Sequence, residues 1–203
     1  MAVDSGFISN LAYCEYKALL HAMNPSRPRT PLGRRIARSI LSGSEPNGYT
    51  FKEIVVRGVV DGVEVVASPD IAVFRGEELV ALVKARVRRE TRWSSTDFLQ
   101  LGVAAALYDG AKRDPVLLAL AIATSKEGLV EAVEAIKRTG YPKPAKGSGW
   151  VIATRIHDQE EAWKVITRAV GLVRGEIQPR PTPTPAKCGI CEYSSQCPYA
   201  ITK

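Results

Sequence analysis

The chain lacks long apolar runs. Its longest, near 115–123, falls well short of the roughly 18 residues that span a bilayer, so no transmembrane helix is expected. Asp4, Ser5, Glu15 and Lys17 break up the start, which therefore does not resemble a signal peptide; a soluble, cytoplasmic protein is the expectation. Internal repeats are absent. Histidine and methionine are scarce, at two residues each, and His21 and His157 read as ordinary surface or satisfied core residues. With only four cysteines in 203 residues, a disulfide scaffold is a poor fit, and the thiols read better as metal ligands or redox groups.

What is present is positive charge. The formal balance is +7 with a pI near 9.3, which suits a polyanionic partner. Lys84, Arg86, Arg88, Arg89 and Arg92 fall in one short segment against Glu90 alone, and Arg34, Arg35 and Arg38 form a second cluster. A high Arg share, few Asn and Gln, and a proline-rich linker point weakly to a thermophilic source.

Hydrophobic content of 45% in a chain of this length predicts one domain with appendages. Residues 1–176 form its body and residues 177–203 a proline-rich strap ending in a cysteine cluster. Helices are expected at 11–23, capped by Ser9 or Asn10, and at 31–41. Strands at 51–60, 63–67, 71–74 and 79–87, separated by Gly-containing turns, predict an antiparallel meander. A helix at 97–111 capped by Ser94, Ser95 or Thr96, a buried strand at 116–124, a helix at 127–137, a loop at 139–149, a strand at 150–155 and a long helix from Asp158 to about 176 follow. The alternating prolines after Ile177 predict an extended strap that carries the last residues back across the body.

Cys188, Cys191 and Cys197 form a C-x2-C-x5-C-P cluster, in which a tight turn aims the first two thiolates the same way. Cys14 is the remaining cysteine. If it completes the set, one metal centre fastens the tail to the N-terminal helices and closes a loop of about 174 residues. Spacing alone suits zinc and an iron–sulfur cluster equally.

With a hairpin centred near Gly76 and Glu77, Asp70 falls opposite residue 82 or 84 and shares a face with Lys84. A carboxylate beside an ammonium on a sheet is a phosphodiesterase arrangement, the acid holding a divalent metal and the lysine meeting developing charge. On these two residues alone an ordinary cross-strand ion pair is the commoner reading. Strand alternation puts Lys84, Arg86 and Arg88 on one face, as a basic surface or a charged edge.

Together these residues resemble the RecB-like PD-(D/E)XK nucleases, in particular the CRISPR-associated exonuclease family, the fourth core Cas protein. The resemblance covers nearly the whole chain: an early cysteine, the strands, a helix bearing glutamine and the cysteine tail. It implies a mixed α/β (α+β) fold with a restriction-endonuclease-like core, a central mixed sheet, N-terminal helices and a C-terminal iron–sulfur tail. It also implies a 4Fe-4S, less often 2Fe-2S, cluster on Cys14, Cys188, Cys191 and Cys197. The activity implied is Mg- or Mn-dependent exonuclease action on DNA ends during spacer acquisition, an antiviral defence, beside the CRISPR integrase. Asp70 matches the metal-binding aspartate, Lys84 the motif lysine and Gln100 the helix glutamine. Arg34, Arg35, Arg86, Arg88 and Arg89 are the expected DNA contacts.

Three positions depart from that pattern. Leu82 stands where the second acid belongs, the segment around Gly33-Arg34-Arg35 lacks the expected histidine, and Ala104 replaces a tyrosine that Tyr108 follows one turn later. A hard cation takes about six oxygen ligands, and one aspartate supplies few of them. Three readings follow: an active exonuclease with an atypical acid, a catalytically silent relative that binds DNA as an adaptation cofactor or a DNA-coating protein, or, if the cofactor is colourless, an unrelated zinc-stapled binding module.

Overall fold

The computed structural model describes residues 2–24, 30–108 and 115–201. Among them a six-stranded mixed sheet runs through the centre of the molecule, with helices on both faces. Its order is β1 (Thr50–Lys52), β4 (Ile71–Arg75), β5 (Glu78–Val87), β6 (Leu117–Ala123), β8 (Trp150–Ile156) and β7 (Ala145–Gly147). Only β5 and β6 pair in parallel, because the chain between them crosses over through α4 (Leu99–Leu107); every other pairing is antiparallel. A separate two-stranded sheet joins β2 (Val56–Val60) to β3 (Val63–Ala67), and Val3 bridges to Val65 beside it.

The sheet divides two apolar clusters. Leu79, Leu82, Leu118, Leu120 and Ile122 face α1 (Ser5–Tyr13), α4 and α6 (Gln159–Val173). Ala81, Val83, Ala85, Ala119, Ala121 and Ala123 face α3 (Leu32–Leu41) and α5 (Lys126–Thr139). Small residues on the second face let α3 come very close to β5. A Cβ added at Gly33 would lie 2.0 Å from the Ala85 carbonyl oxygen. That closeness sets the first turn of α3, and with it Arg34, against the end of the β4–β5 hairpin.

Several expectations need correction. The segment 11–23 is not one helix: Asp4 caps α1 through Phe7 N–H (2.7 Å), and Cys14, extended at φ −166°, separates it from α2 (Glu15–Met23). The expected strand 51–60 is two strands in different sheets, and the hairpins β2–β3 and β4–β5 do not form one meander. Ser68-Pro69 lies between β3 and β4, where proline has no N–H to give a ladder, and the free edge of β4 pairs with β1 instead. The helix expected at 97–111 begins as a 3-10 turn, Ser95–Phe98, under a Ser94–Asp97 capping box, and α4 ends at Leu107. Residues 109–111 of that helix lie outside the described residues. The loop at 139–149 contains β7, a strand too short for a sequence pattern, and α6 stops at Val173, before the left-handed Gly175.

Beyond α6, residues 178–184 form neither helix nor strand and lead to α7 (Pro185–Gly189), capped by Thr184. Polar contacts fasten this segment to α1 and α2. Glu15 takes a two-pronged bond from Arg168 (2.9 and 2.7 Å) and one from the Arg180 N–H (2.5 Å), while Thr182 and Lys187 both donate to the Tyr13 carbonyl. No helix of the described residues is long and apolar enough to cross a membrane.

Gly33→Ala should test the close approach of α3. Overpacking there is expected to cost about 1–3 kcal/mol, read as a lower urea midpoint with unchanged slope. An unaltered midpoint would show that the helix can simply move away.

Candidate functional site

The β4–β5 register pairs Ile71 with Val83, so the next pair outward is Asp70 and Lys84. The hairpin thus brings the two residues together. Both are buried, Asp70 at 2% and Lys84 at 5% exposure. They are not, however, each other's partner. Arg34 Nε donates to Asp70 Oδ1 at 2.6 Å, and the Ala85 N–H donates to Oδ2 at 2.9 Å. A second Arg34 nitrogen donates to the Ser68 carbonyl at 2.5 Å. The guanidinium comes from the helix segment where the nuclease resemblance calls for a histidine ligand, and it sits on the aspartate where a metal would.

These residues do not fit a divalent metal. Each oxygen of the one carboxylate already carries a donor, and one of those donors is a cation. Leu82 is fully buried in the apolar cluster beneath and offers no oxygen. Among the described residues no three His, Cys, Asp or Glu side chains stand close enough to hold a single ion. Breaking so buried an ion pair would cost about 3–5 kcal/mol, because it leaves a charge uncompensated.

An open cleft of about 700 Å³ lies over this point, lined by Asp70, Arg34, Lys84, Arg86, Gln100 and His21 among others. Beside it a recess of about 260 Å³ shares Lys84, Arg86, Gln100 and Ser9 and adds Arg88 and Asp97. Strand alternation therefore does place Lys84, Arg86 and Arg88 on one face, turned toward α1 and α4. Arg88 is neutralised by a bidentate pair with Asp97. Among the described residues Lys84 and Arg86 have no carboxylate at ion-pair distance. Burial pushes the Lys84 ammonium down to about 7, and Arg86, Arg34 and Arg88 add repulsion that Asp70 only partly offsets. Burial likewise lowers Arg86. The cleft is a surplus of cations held in a partly dry place, which is how an anion site is built.

Gln100 reaches the same cleft, where its amide donates to the Ser5 carbonyl and the Ser9 hydroxyl. The oxygen of the same amide, Oε1, is buried with no partner among the described residues. Tyr108 does not reach it: the ring packs edge-on against Phe74, 6.1 Å away, in the core. Arg35 is exposed on α3 beside Arg34, and Arg89 is exposed in the bend just beyond β5.

Cys14 and the distant tail cysteines Cys188, Cys191 and Cys197 share one cavity, walled also by Tyr13, Thr182, Lys187 and Tyr199. Burial alone would raise the Cys14 thiol, but hydrogen bonds from the Thr182, Lys17 and Tyr16 backbone and the Thr182 hydroxyl outweigh it and hold the thiol below its ordinary value. N–H groups aimed at a sulfur at the start of α2 favour its thiolate, the form that binds metal. His21 joins the two regions: it lines the anion cleft, and its Nδ1 lies 3.2 Å from the hydroxyl of Tyr193 in the tail. Sequence reasoning missed both the Arg34–Asp70 lock and this histidine, although Arg34 in the histidine position was a visible signal for the first.

The buried lysine has a pH signature. Its folded value lies below the ordinary 10.5, so the cost of burying its charge is fully present below about pH 7 and is relieved as pH rises from there toward 10.5. Lys84→Met should therefore raise the melting temperature near pH 6.5, by the equivalent of about 1–4 kcal/mol, with the gain shrinking to nothing above pH 10. A gain that is the same at both pH values would contradict this electrostatic account.

No protein-family model matches the chain, and no curated protein matches it. Among solved structures, the one titled "Crystal structure of SSO0001" superposes with a TM-score of 0.49 over 99% of this chain and 87% of that chain, at 13% identity. A likeness at that level carries no functional argument.

Proposed function

We propose that this is a DNA-binding iron–sulfur protein on a RecB-like PD-(D/E)XK core, in which the former nuclease cleft grips nucleic-acid phosphate without cutting it. The observation that carries this reading is the Arg34 guanidinium on Asp70. It supplies positive charge where a nuclease would hold its metal, and it leaves Lys84 and Arg86 free to meet phosphate oxygens. Arginine suits the task because its fork can fix an anion and a carboxylate at once without a metal. Exposed Arg35 and Arg89 extend the basic surface for the sequence-independent part of binding.

The cysteine cavity supports an iron–sulfur staple. A single zinc lies about 2.3 Å from each of four converging sulfurs, whereas in a cluster different irons take the thiolates and the sulfurs stand farther apart. The four thiols line one cavity, and no three of them stand close enough for a single ion, which favours the second. Cys14, Cys188, Cys191 and Cys197 would hold the group, which when bound supplies a four-point link between the tail and the start of α2. The setting in CRISPR adaptation, and an integrase as partner, rest on the sequence resemblance.

Fluorescence anisotropy with a labelled oligonucleotide in EDTA tests the first part. Binding should persist without divalent metal, weaken steeply with salt, and lose about one unit of salt slope in Arg86→Ala. Manganese should release no nucleotides; metal-dependent release that Asp70→Asn abolishes would instead support the exonuclease reading. For the second part, anaerobically purified protein should contain iron, and Cys14→Ser should lose iron and melt earlier. Unchanged iron content in that variant would remove Cys14 from the site.

A further inference from the structure

We propose that the recess at the end of β5 seats a terminal phosphate monoester of a nucleic-acid strand, held by Lys84 and Arg86 with no metal between phosphate and protein. This rests on the DNA-binding reading and narrows it to strand ends.

Three features of the recess lead there. The first is an uncompensated charge: Lys84 is 5% exposed, lines both the cleft and the recess, has no ion-pair partner among the described residues, and its ammonium opens only onto the cleft. A buried ammonium in that condition is costly unless a ligand supplies the missing anion. Asp70, its neighbour across the hairpin, is already committed to Arg34 and to the Ala85 N–H. Asp4, on the wall of the cleft, is committed to capping α1.

The second feature is the number of open charges. Asp97 cancels Arg88 and Asp70 cancels Arg34, which leaves Lys84 and Arg86. A phosphate monoester carries between about one and a half and two negative charges near neutral pH, whereas an internal diester carries one. With Lys84 protonated, as a seated phosphate would keep it, two uncompensated cations match the monoester.

The third is shape and donor supply. Lys84 forms the inner end of the site, while Arg86, two residues along the same strand face, is half-buried. An internal diester brings a sugar on each side, and a recess of about 260 Å³ seats one more easily than two. A terminal group has one sugar, which stays at the mouth, and three oxygens to turn inward. Ser9 accepts from Gln100 and so keeps its own hydroxyl proton to donate to that phosphate.

The test is anisotropy in EDTA with one oligonucleotide sequence made four ways: 5′-phosphorylated, 3′-phosphorylated, hydroxyl at both ends, and covalently circular. At least one phosphorylated end should bind about tenfold tighter than the hydroxyl-ended strand, and inorganic phosphate should erase the difference. Lys84→Met, with folding verified by its melting curve, should bind all four forms alike. Equal affinities in the unaltered protein would overturn the end seat and leave DNA binding standing, as would a circle that binds as tightly as the best end. An end preference that survives in Lys84→Met would overturn its assignment to this recess. No binding of any form would overturn the wider reading.

Discussion

The close contact of Gly33 with the β5 backbone sets the character of the cleft. Because no side chain separates α3 from Ala85, the next residue, Arg34, can reach round the end of the sheet and take Asp70 as its partner. Once the guanidinium is there, a hard cation would meet the aspartate beside a fixed positive charge, and Asp70 offsets the charge of the buried Lys84 only in part. Burial is what first lowers the pKa of Lys84 and of Arg86, and the pair adds to the positive surplus of the cleft by taking up Asp70. A salt bridge so buried does little for stability by comparison with an apolar pair. Its value here lies in what it does to the neighbouring charges.

A second constraint acts at the other end of the N-terminal helices. Cys14 stands in the break between α1 and α2, facing a cavity that the tail closes with its three cysteines. The same helices carry Ser9 into the anion recess and His21 into the cleft, and Tyr193 of the tail holds the histidine. The sulfur cavity and the anion cleft thus share a pair of short helices. Whatever fixes the tail also fixes one wall of the cleft, along with Glu15, which ties Arg168 and the strap to α2.

Much of this was legible in the chain itself. Strands β5, β6 and β8 and helices α3 and α5 fall close to where the sequence pattern puts them: β5 and β6 are near-continuous apolar runs buried on both faces, and the helices carry a one-sided apolar stripe. The Asp70–Lys84 neighbourhood followed from a single hairpin turn. The break at Cys14 did not, since apolar residues continue through it and no proline or glycine marks it. Nor did the division of residues 50–67 between two sheets, which depends on which edge of β4 is free, a matter of tertiary pairing. Arg34 is the instructive case: its distance of 36 residues from Asp70 hides the contact, yet its place in the segment where a histidine ligand was sought was in plain view.

The account stands or falls on whether a guanidinium has displaced a metal from Asp70. Manganese titration followed by the EPR signal of the free ion measures this directly. Added protein should leave that signal undiminished. Stoichiometric loss of the signal, restored by Asp70→Asn, would mean that Arg34 yields to the metal and that the cleft is a working metal site after all.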